Sequence, residues 1–175
     1  MRDRLTPGRL QELMRALARG VRDEGRVYLT GGASAVLLGW RDSTLDVDLK
    51  LIPDSGELLR AIAALKESLH INIELASPDD FIPPLPGWQE RSRFIAREGT
   101  LSFHHYDFYA QALAKIERGH HVDRADVQQM LASGLVERER LVALFDAIEP
   151  ELYRYPAIDP PTFRRALRAA LQPLQ

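Results

Sequence analysis

Two aspartates, Asp46 and Asp48, alternate with aliphatic residues in the run Leu-Asp-Val-Asp-Leu-Lys-Leu. This period of two predicts a β-strand with one buried face, so both carboxylates project from the opposite face and lie close together. Aspartate is a poor strand former, and neighbouring carboxylates repel each other unless a hard cation bridges them. The spacing therefore favours a divalent-metal site. The alternative is a solvated acidic face on an edge strand.

A third carboxylate lies on the next strand predicted along the chain. Residues 70–75 alternate in the same way, and Glu74 shares their polar face with Asn72. If this strand lies beside the first, Glu74 completes a metal site with Asp46 and Asp48. Asn72 is a weaker, neutral candidate ligand, and a Glu74 that merely faces solvent is the competing interpretation.

A glycine pair, Gly31-Gly32, interrupts the chain just upstream of the aspartates. It separates a predicted strand at 26–29 from a short apolar helix at 33–38. Glycines at such a turn leave backbone N–H groups open to phosphate oxygens, and Ser34 could add a hydroxyl donor. The alternative is a tight turn that binds nothing.

A basic and acidic segment follows on predicted helices further along the chain. Lysine is scarce, and Lys115 stands among apolar residues with Arg118 three positions later on the same helical face. Lysine suits a triphosphate oxygen, although an exposed basic stripe would look the same. We expect Asp123 to be the N-cap of the next helix, with Asp126 at its third position. We expect His120-His121 to end the Lys115 helix.

The elements around these residues indicate an α/β (α+β) fold. A helix at 54–69 connects the two acidic strands, Thr6-Pro7 opens an N-terminal helix, and residues 94–103 suggest a hairpin. From Tyr106 onward the pattern is helical, with predicted helices at 107–119, 123–133, 137–148 and 162–171. We therefore predict a mixed-sheet core at 1–105, followed by a helical region at 106–175 packed on it.

Taken together, the glycine turn and the acidic strand resemble the DNA polymerase β-like nucleotidyltransferase superfamily. The closest similarity is to its bacterial branch of AbiEii-like and minimal nucleotidyltransferases. The more specific part is the pattern Arg-x-x-Thr-x-Asp-x-Asp, and the Lys115–Asp126 segment is similar more weakly. The matching residues are Gly31, Gly32, Ser34, Arg41, Thr44, Asp46 and Asp48. Here glycine follows the first glycine where serine is also common, which leaves open whether Ser34 takes the role of that hydroxyl.

The resemblance implies a fold with a mixed sheet and flanking helices, followed by a helical region, and it implies roles for single residues. Asp46, Asp48 and Glu74 would be catalytic ligands of two Mg²⁺ ions, with Mn²⁺ as an alternative metal. Lys115 would be catalytic and bind the triphosphate, and Asp126 would be catalytic or orient that lysine. Nucleotide binding would involve Gly31, Gly32, Ser34, Arg41, Thr44, Lys115 and Arg118.

The function implied is magnesium-dependent transfer of a nucleotidyl group from a nucleoside triphosphate to an acceptor. That acceptor would be a tRNA or other RNA end, or a protein, and the chain could belong to a toxin–antitoxin system with a cognate partner protein. One alternative is a partner-binding module of antitoxin type with little or no catalysis. Another is a small-molecule nucleotidyltransferase of aminoglycoside type.

The composition excludes several other kinds of site and protein. The chain of 175 residues has no cysteine, which excludes disulfides and thiolate metal sites. Its start is charged and no apolar run reaches membrane-spanning length, so we expect a cytoplasmic protein without membrane contact. Neither a P-loop nor a dinucleotide-binding glycine motif is present, and the paired histidines do not have zinc-ligand spacing.

The charge pattern bears on nucleic-acid binding. A formal net charge of −2 argues against a general nucleic-acid binder. Two basic clusters could still contact RNA phosphates or an acidic partner, although a solvated basic face is the simpler interpretation for each. The clusters are Arg91, Arg93 and Arg97, and Arg164, Arg165 and Arg168.

Overall fold

The computed structural model describes residues 1–173, which form two compact units. The first unit comprises Met1–Ser77 and Ser92–Tyr106. The second comprises Pro78–Arg91 and residues 107–173. The segment 78–91 thus belongs with the later helices and not with the sheet.

The first unit contains a five-stranded mixed sheet in the order β3-β2-β1-β5-β4. Its strands are β1 (Gly25–Thr30), β2 (Asp46–Ile52), β3 (Asn72–Glu74), β4 (Arg93–Glu98) and β5 (Leu101–His105). β1 pairs antiparallel with β2 and parallel with β5, whereas β2 and β3 are parallel and β4 and β5 form an antiparallel hairpin. The α/β prediction with a mixed sheet is therefore confirmed.

Three helices accompany this sheet: α1 (Pro7–Arg19), α2 (Gly31–Leu37) and α3 (Gly56–Ser68). α1 begins where Thr6 caps it, because the Thr6 hydroxyl accepts a hydrogen bond from the Arg9 N–H and Pro7 occupies the first turn. α3 begins in the same way at Ser55. The caps explain why both helices start close to the predicted positions.

One face of the sheet packs against apolar side chains of these helices. Alternate strand residues enter this core, as the period of two predicts. The same pattern fails at the strand ends. Leu45 precedes β2 and Leu75 follows β3, and both are about half exposed. The buried core includes Leu10, Leu13, Leu17, Val27, Leu29, Val47, Leu49, Ile71, Ile73 and Phe103.

The second unit is helical. It contains α4 (Trp88–Arg91), α5 (Phe108–Arg118), α6 (His121–Ala132), α7 (Arg138–Ile148) and α8 (Pro160–Leu171), with 3₁₀ turns at Pro78–Asp80 and Glu149–Arg154. α5 is central, since it packs against α6, α7 and α8 and buries most of its residues. No helix within residues 1–173 is both long and apolar enough to cross a membrane.

Two predictions at the junction of α5 and α6 are wrong. α5 ends at Arg118, because Gly119 adopts the left-handed conformation (φ 72°) that terminates helices. His120-His121 therefore does not end this helix; His120 is the N-cap of α6 instead. Asp123 is not an N-cap either. It occupies the third position of α6 and accepts a hydrogen bond from the His120 N–H, as in a capping box.

Candidate active site

The strand register brings the predicted acidic residues to one place. β2 and β3 are neighbours, with Asp46 opposite Asn72 and Asp48 opposite Glu74. Paired residues share a sheet face, and alternation keeps Asp46 and Asp48 on that face together. All four side chains are at least partly exposed. The structure therefore places Glu74 beside the aspartates and not turned away from them.

An amide lies between two of these carboxylates. Asn72 Nδ2 donates to Asp46 Oδ1 at 2.7 Å and to Glu74 Oε1 at 3.0 Å. One neutral donor group thus serves two anions and relieves part of their repulsion. This arrangement was not foreseen from the sequence, where Asn72 was only a substitute ligand.

The glycine turn adjoins the same carboxylates through the register of β1 and β2. Thr30, the last residue of β1, pairs with Asp48, so the next residue, Gly31, lies against that aspartate. A Cβ atom on Gly31 would be 3.4 Å from Asp48 Oδ2. Gly31 also has φ 61°, a conformation that side chains disfavour. Both constraints favour glycine here.

Gly32 is restricted by the residues of the predicted motif. A Cβ atom there would collide with the Thr44 hydroxyl and would lie 3.5 Å from Arg41 Nη1. Thr44 is buried, and its hydroxyl donates to the Asp46 carbonyl at 3.1 Å. Thr44 thus stabilises the start of β2 next to Gly32. The Arg41 side chain lies close to Gly32 as well. The motif Arg-x-x-Thr-x-Asp-x-Asp therefore forms one local unit with Gly32.

Ser34 lies inside the protein. It is buried, its hydroxyl lies 3.2 Å from the Leu29 carbonyl and 2.9 Å from His105 Nδ1. The hydroxyl thus bridges the Leu29 carbonyl and the His105 ring, and the tautomer of that ring sets which of Ser34 and His105 donates. Burial, and then the charge of Arg93, lowers the pKa of His105 to about 4, so the ring is neutral at pH 7. This network joins the end of β5 to α2, the helix that begins with the two glycines. Contact between Ser34 and a triphosphate stays a prediction.

Lys115 and Asp126 meet in the second unit. Lys115 Nζ lies 2.8 Å from Asp126 Oδ2 and 3.6 Å from Asp123 Oδ1, and all three side chains are buried. The ammonium charge is thus shared between two carboxylates on α6. An exposed basic stripe, the alternative interpretation of Lys115, does not describe this arrangement.

Arg118 completes the same ionic cluster from its edge. Its guanidinium holds Asp123 through two hydrogen bonds, Nε to Oδ2 at 2.8 Å and Nη2 to Oδ1 at 2.6 Å. Burial raises the pKa of Asp123, but the hydrogen bonds from Arg118 and the charges of Lys115 and Arg118 outweigh it, so this pKa lies below its usual value. Asp123 is therefore an anion at neutral pH, fixed by two cations.

One arginine of each basic cluster is engaged within the protein. Arg91 is partly buried and lies 2.7 Å from the buried Asp107, and that aspartate caps α5 by accepting from the Tyr109 N–H. Arg164 contacts Glu149 and Asp146, each at 2.8 Å. These two arginines stabilise the helical unit. Sequence reasoning missed the pairing because Asp107 is separated from Arg91 by a complete hairpin.

The acidic residues fit a hard cation by their chemistry. Asp46 and Asp48 supply exposed carboxylate oxygens on one face, which is the donor type that Mg²⁺ and Mn²⁺ prefer. Within residues 1–173, however, no three His, Cys, Asp or Glu side chains converge as a ready-made metal site. Asp46 and Asp48 therefore fit a divalent cation as a pair of ligands. Glu74 does not converge with them on one point, and its Oε1 accepts the hydrogen bond from Asn72.

A family comparison agrees with this geometry. Residues 8–158 match the family model described as "Nucleotidyltransferase of unknown function (DUF6036)". The chain belongs to this nucleotidyltransferase family. No curated protein and no solved structure matches the chain significantly. The match supports the wider nucleotidyltransferase assignment, while it does not place the chain in the AbiEii-like branch.

Proposed function

We propose that this nucleotidyltransferase-family protein catalyses Mg²⁺-dependent transfer of a nucleotidyl group from a nucleoside triphosphate to an acceptor hydroxyl. The observation that carries the proposal is the position of Gly31 against Asp48, with Glu74 in register on the neighbouring strand. The turn offers backbone N–H groups to phosphate oxygens, and the strands offer carboxylates to the metal ions that accompany a triphosphate. Both parts of the proposed nucleotide site therefore meet at one end of the strands β1, β2 and β3.

Each residue has a defined task in the proposed reaction. Asp46 and Asp48 would hold the divalent ions, with Mn²⁺ as a possible replacement for Mg²⁺. When bound, these ions would neutralise charge on the phosphates and on the leaving pyrophosphate. The backbone at Gly31-Gly32 would orient the triphosphate, with Arg41 close enough to the turn to contribute positive charge.

The chemical step is an exchange of one bond at the α-phosphorus. The acceptor oxygen forms a bond to that phosphorus while the bond to the β-phosphate oxygen breaks, so pyrophosphate leaves. The proton of the acceptor hydroxyl passes to a nearby carboxylate, for which Glu74 is the candidate. Exposure of Glu74 leaves it accessible to an incoming hydroxyl.

Lys115 has a less direct role in the proposed reaction. The Asp126 carboxylate at 2.8 Å fixes the ammonium position, which fits a lysine that is oriented to contact phosphate. The two carboxylates around it also reduce the positive charge available to a ligand. We therefore propose that Asp126 positions the Lys115 ammonium, and that Lys115 contributes less to the reaction than the aspartates do. The main chemical work falls to Asp46 and Asp48.

Label transfer from radiolabelled nucleoside triphosphates to cellular RNA and protein tests the proposal. The wild type, an Asp46→Ala/Asp48→Ala variant and an Asp54→Ala control should be compared with Mg²⁺ and with EDTA. Asp54 is an exposed aspartate just beyond β2, so this control removes a carboxylate of the same kind outside the candidate site. We expect transfer by the wild type and the control alone, and only with metal. Equal labelling by all three proteins would contradict the proposal.

A further inference from the structure

The polar face of the sheet has a basic end opposite its acidic end. Asp48 pairs with Thr30, and four residues further along the same strands Ile52 pairs with Arg26. Steps of two residues keep this face, so Arg26 shares it with the carboxylates. At about 3.3 Å per residue, the two ends lie about 13 Å apart. The paired strand β5 continues this face with Ser102 opposite Arg26.

A cavity of about 530 Å³ occupies the basic end. Hydroxyl, imidazole and guanidinium groups contribute most of its polar lining, and Gly25 and Pro53 leave space between them. The side chains used in this argument are Arg26, Arg97, Ser102 and His104, with Glu24 at the rim. No residue of the acidic end lines this cavity, so it is a separate feature of the sheet.

The charge of this cavity is positive. Arg26 and Arg97 are both exposed, and the only carboxylate in the lining, Glu24, lies 3.7 Å from Arg97 at a largely solvated position. Burial, with the positive charge of Arg26, lowers the pKa of His104, so this ring is neutral at pH 7. A phosphate would therefore meet two cations, and it would displace only a long, exposed ion pair.

An aromatic row leads from the cavity to the sheet edge. The His104 ring stacks on Tyr28 with centroids 5.3 Å apart, and Phe94 contacts the other side of His104 edge-to-face at 5.7 Å. Phe94 is on β4, at the sheet edge, and is 62% exposed. The register places Phe94 opposite His104, with Arg97 and Arg26 on either side of Ser102 on the same face. An exposed aromatic ring and cations on one face are the combination that binds a base and its phosphate.

We propose that the cavity lined by Arg26, Arg97 and His104, together with the exposed ring of Phe94, binds a nucleotide unit. The arginines contact its phosphate and Phe94 stacks on its base. Binding itself is independent of the metal site. Its interpretation as the site of the acceptor rests on the proposed function, because a phosphate about 13 Å from Asp48 would place another part of the same molecule near the carboxylates. The unit could be a free mononucleotide or part of a single-stranded RNA.

Binding measurements in EDTA isolate this cavity from any metal-dependent site. The probes are pyrophosphate and 5′-AMP, measured by calorimetry, and a fluorescein-labelled RNA hexamer, measured by anisotropy. The variants are Arg26→Ala/Arg97→Ala and Phe94→Ala, with Arg19→Ala/Arg60→Ala as a control of equal charge change at exposed positions of α1 and α3. An Asp46→Asn/Asp48→Asn protein separates the two ends of the sheet. If the alanine pair melts early, Arg26→Gln/Arg97→Gln replaces it.

We expect the double-arginine variant to weaken binding of all three probes at least about tenfold. Phe94→Ala should weaken 5′-AMP and RNA about fivefold or more and leave pyrophosphate binding unchanged. The arginine control and the aspartate variant should bind as the wild type does. RNA binding much tighter than 5′-AMP binding would identify a strand, and similar affinities would identify a mononucleotide.

The proposal is overturned if the wild type binds none of the probes, or if the double-arginine variant binds them unchanged. Loss of binding in the Asp46→Asn/Asp48→Asn protein would overturn it as well, because the cavity would then not be a separate site. Failure of the proposed function gives a different result. In that case label transfer is absent although binding in EDTA persists.

Discussion

The acidic end of β2 and β3 and the ionic cluster of α5 and α6 handle charge in opposite ways. Asp46 and Glu74 are exposed, and the group that joins them is the neutral amide of Asn72. In the helical unit, Lys115 and Asp126 are buried and neutralise each other at 2.8 Å. One region collects like charges at the surface, and the other balances opposite charges in the interior.

This difference indicates where function and stability reside. Like charges held together contribute repulsion to the folded state, and a bound cation would relieve that repulsion. A buried ion pair needs no ligand, but removal of one member leaves an uncompensated charge in a poorly solvated place. Substitutions at the acidic end should therefore alter activity with little effect on stability, whereas substitutions in the cluster should chiefly reduce stability.

The largest expected effect is on the acidic end. Asp48→Asn should reduce nucleotidyl transfer at least about 10³-fold, equivalent to about 4 kcal/mol in the barrier, because it removes a charge that would hold the metal ions. The melting temperature should change little, because asparagine keeps the shape of the side chain that it replaces. Initial rates and thermal melts of the same samples check both parts. A variant with full activity would refute the comparison.

The next largest effect is on the ionic cluster. Lys115→Met should destabilise the protein by about 3–5 kcal/mol, because Asp126 loses its buried partner. Chemical denaturation measures this loss. Lys66→Met is the control and should change stability little, since this lysine is on the partly exposed surface of α3. Wild-type stability in the Lys115→Met protein would show that the cluster is not structural.

A third effect of order 3 kcal/mol concerns pH, and it tests whether the first unit also has a buried stabilising network. The pKa of His105 is about 4 in the folded protein and near 6.5 when the chain is unfolded. The unfolded state therefore binds the proton first, and stability falls as the pH decreases from 6.5 toward 4. Denaturation curves across this range check the slope.

Matched histidine variants assign this slope to one residue. His105→Asn keeps a donor toward Ser34 without a titrating ring, so it should remove most of the pH dependence. His121→Asn changes an exposed histidine and should keep it. An unchanged slope in the His105→Asn protein would assign the dependence to other groups, such as His104.

The smallest effect sharpens the role of Glu74. Glu74→Gln should weaken the apparent Mg²⁺ affinity in the transfer assay about 10- to 100-fold, because it removes one negative charge beside the two aspartates. The maximal rate at saturating Mg²⁺ distinguishes binding from proton transfer. If affinity is unchanged and the rate falls, Glu74 acts as the base alone.

Much of the acidic end was predictable from the sequence because its pattern is local. A period of two fixes the shared face of Asp46 and Asp48. A connection through the single helix α3 makes β3 a natural neighbour of β2. The glycine turn and the Arg41–Asp48 motif are likewise adjacent in sequence. These features depend on nearby residues, for which alternation and turn chemistry are sufficient.

The rest depends on partners that no local pattern specifies. Asn72 bridges two carboxylates, Ser34 contacts His105 across 71 positions, and Arg91 pairs with Asp107 across a hairpin. The start of α6 was misplaced for a related reason. Asp123 has the composition of an N-cap, but the left-handed Gly119 ends α5 early enough for His120 to take that position.

Metal-dependent nucleotide binding tests the central claim most directly. A nonhydrolysable nucleoside triphosphate should be titrated calorimetrically into the wild type and the Asp46→Asn/Asp48→Asn protein, each with Mg²⁺ and with EDTA. The account predicts a Mg²⁺-dependent gain in affinity for the wild type, and it predicts that the variant lacks this gain while its melting temperature is preserved. The same Mg²⁺-dependent gain in both proteins would contradict it.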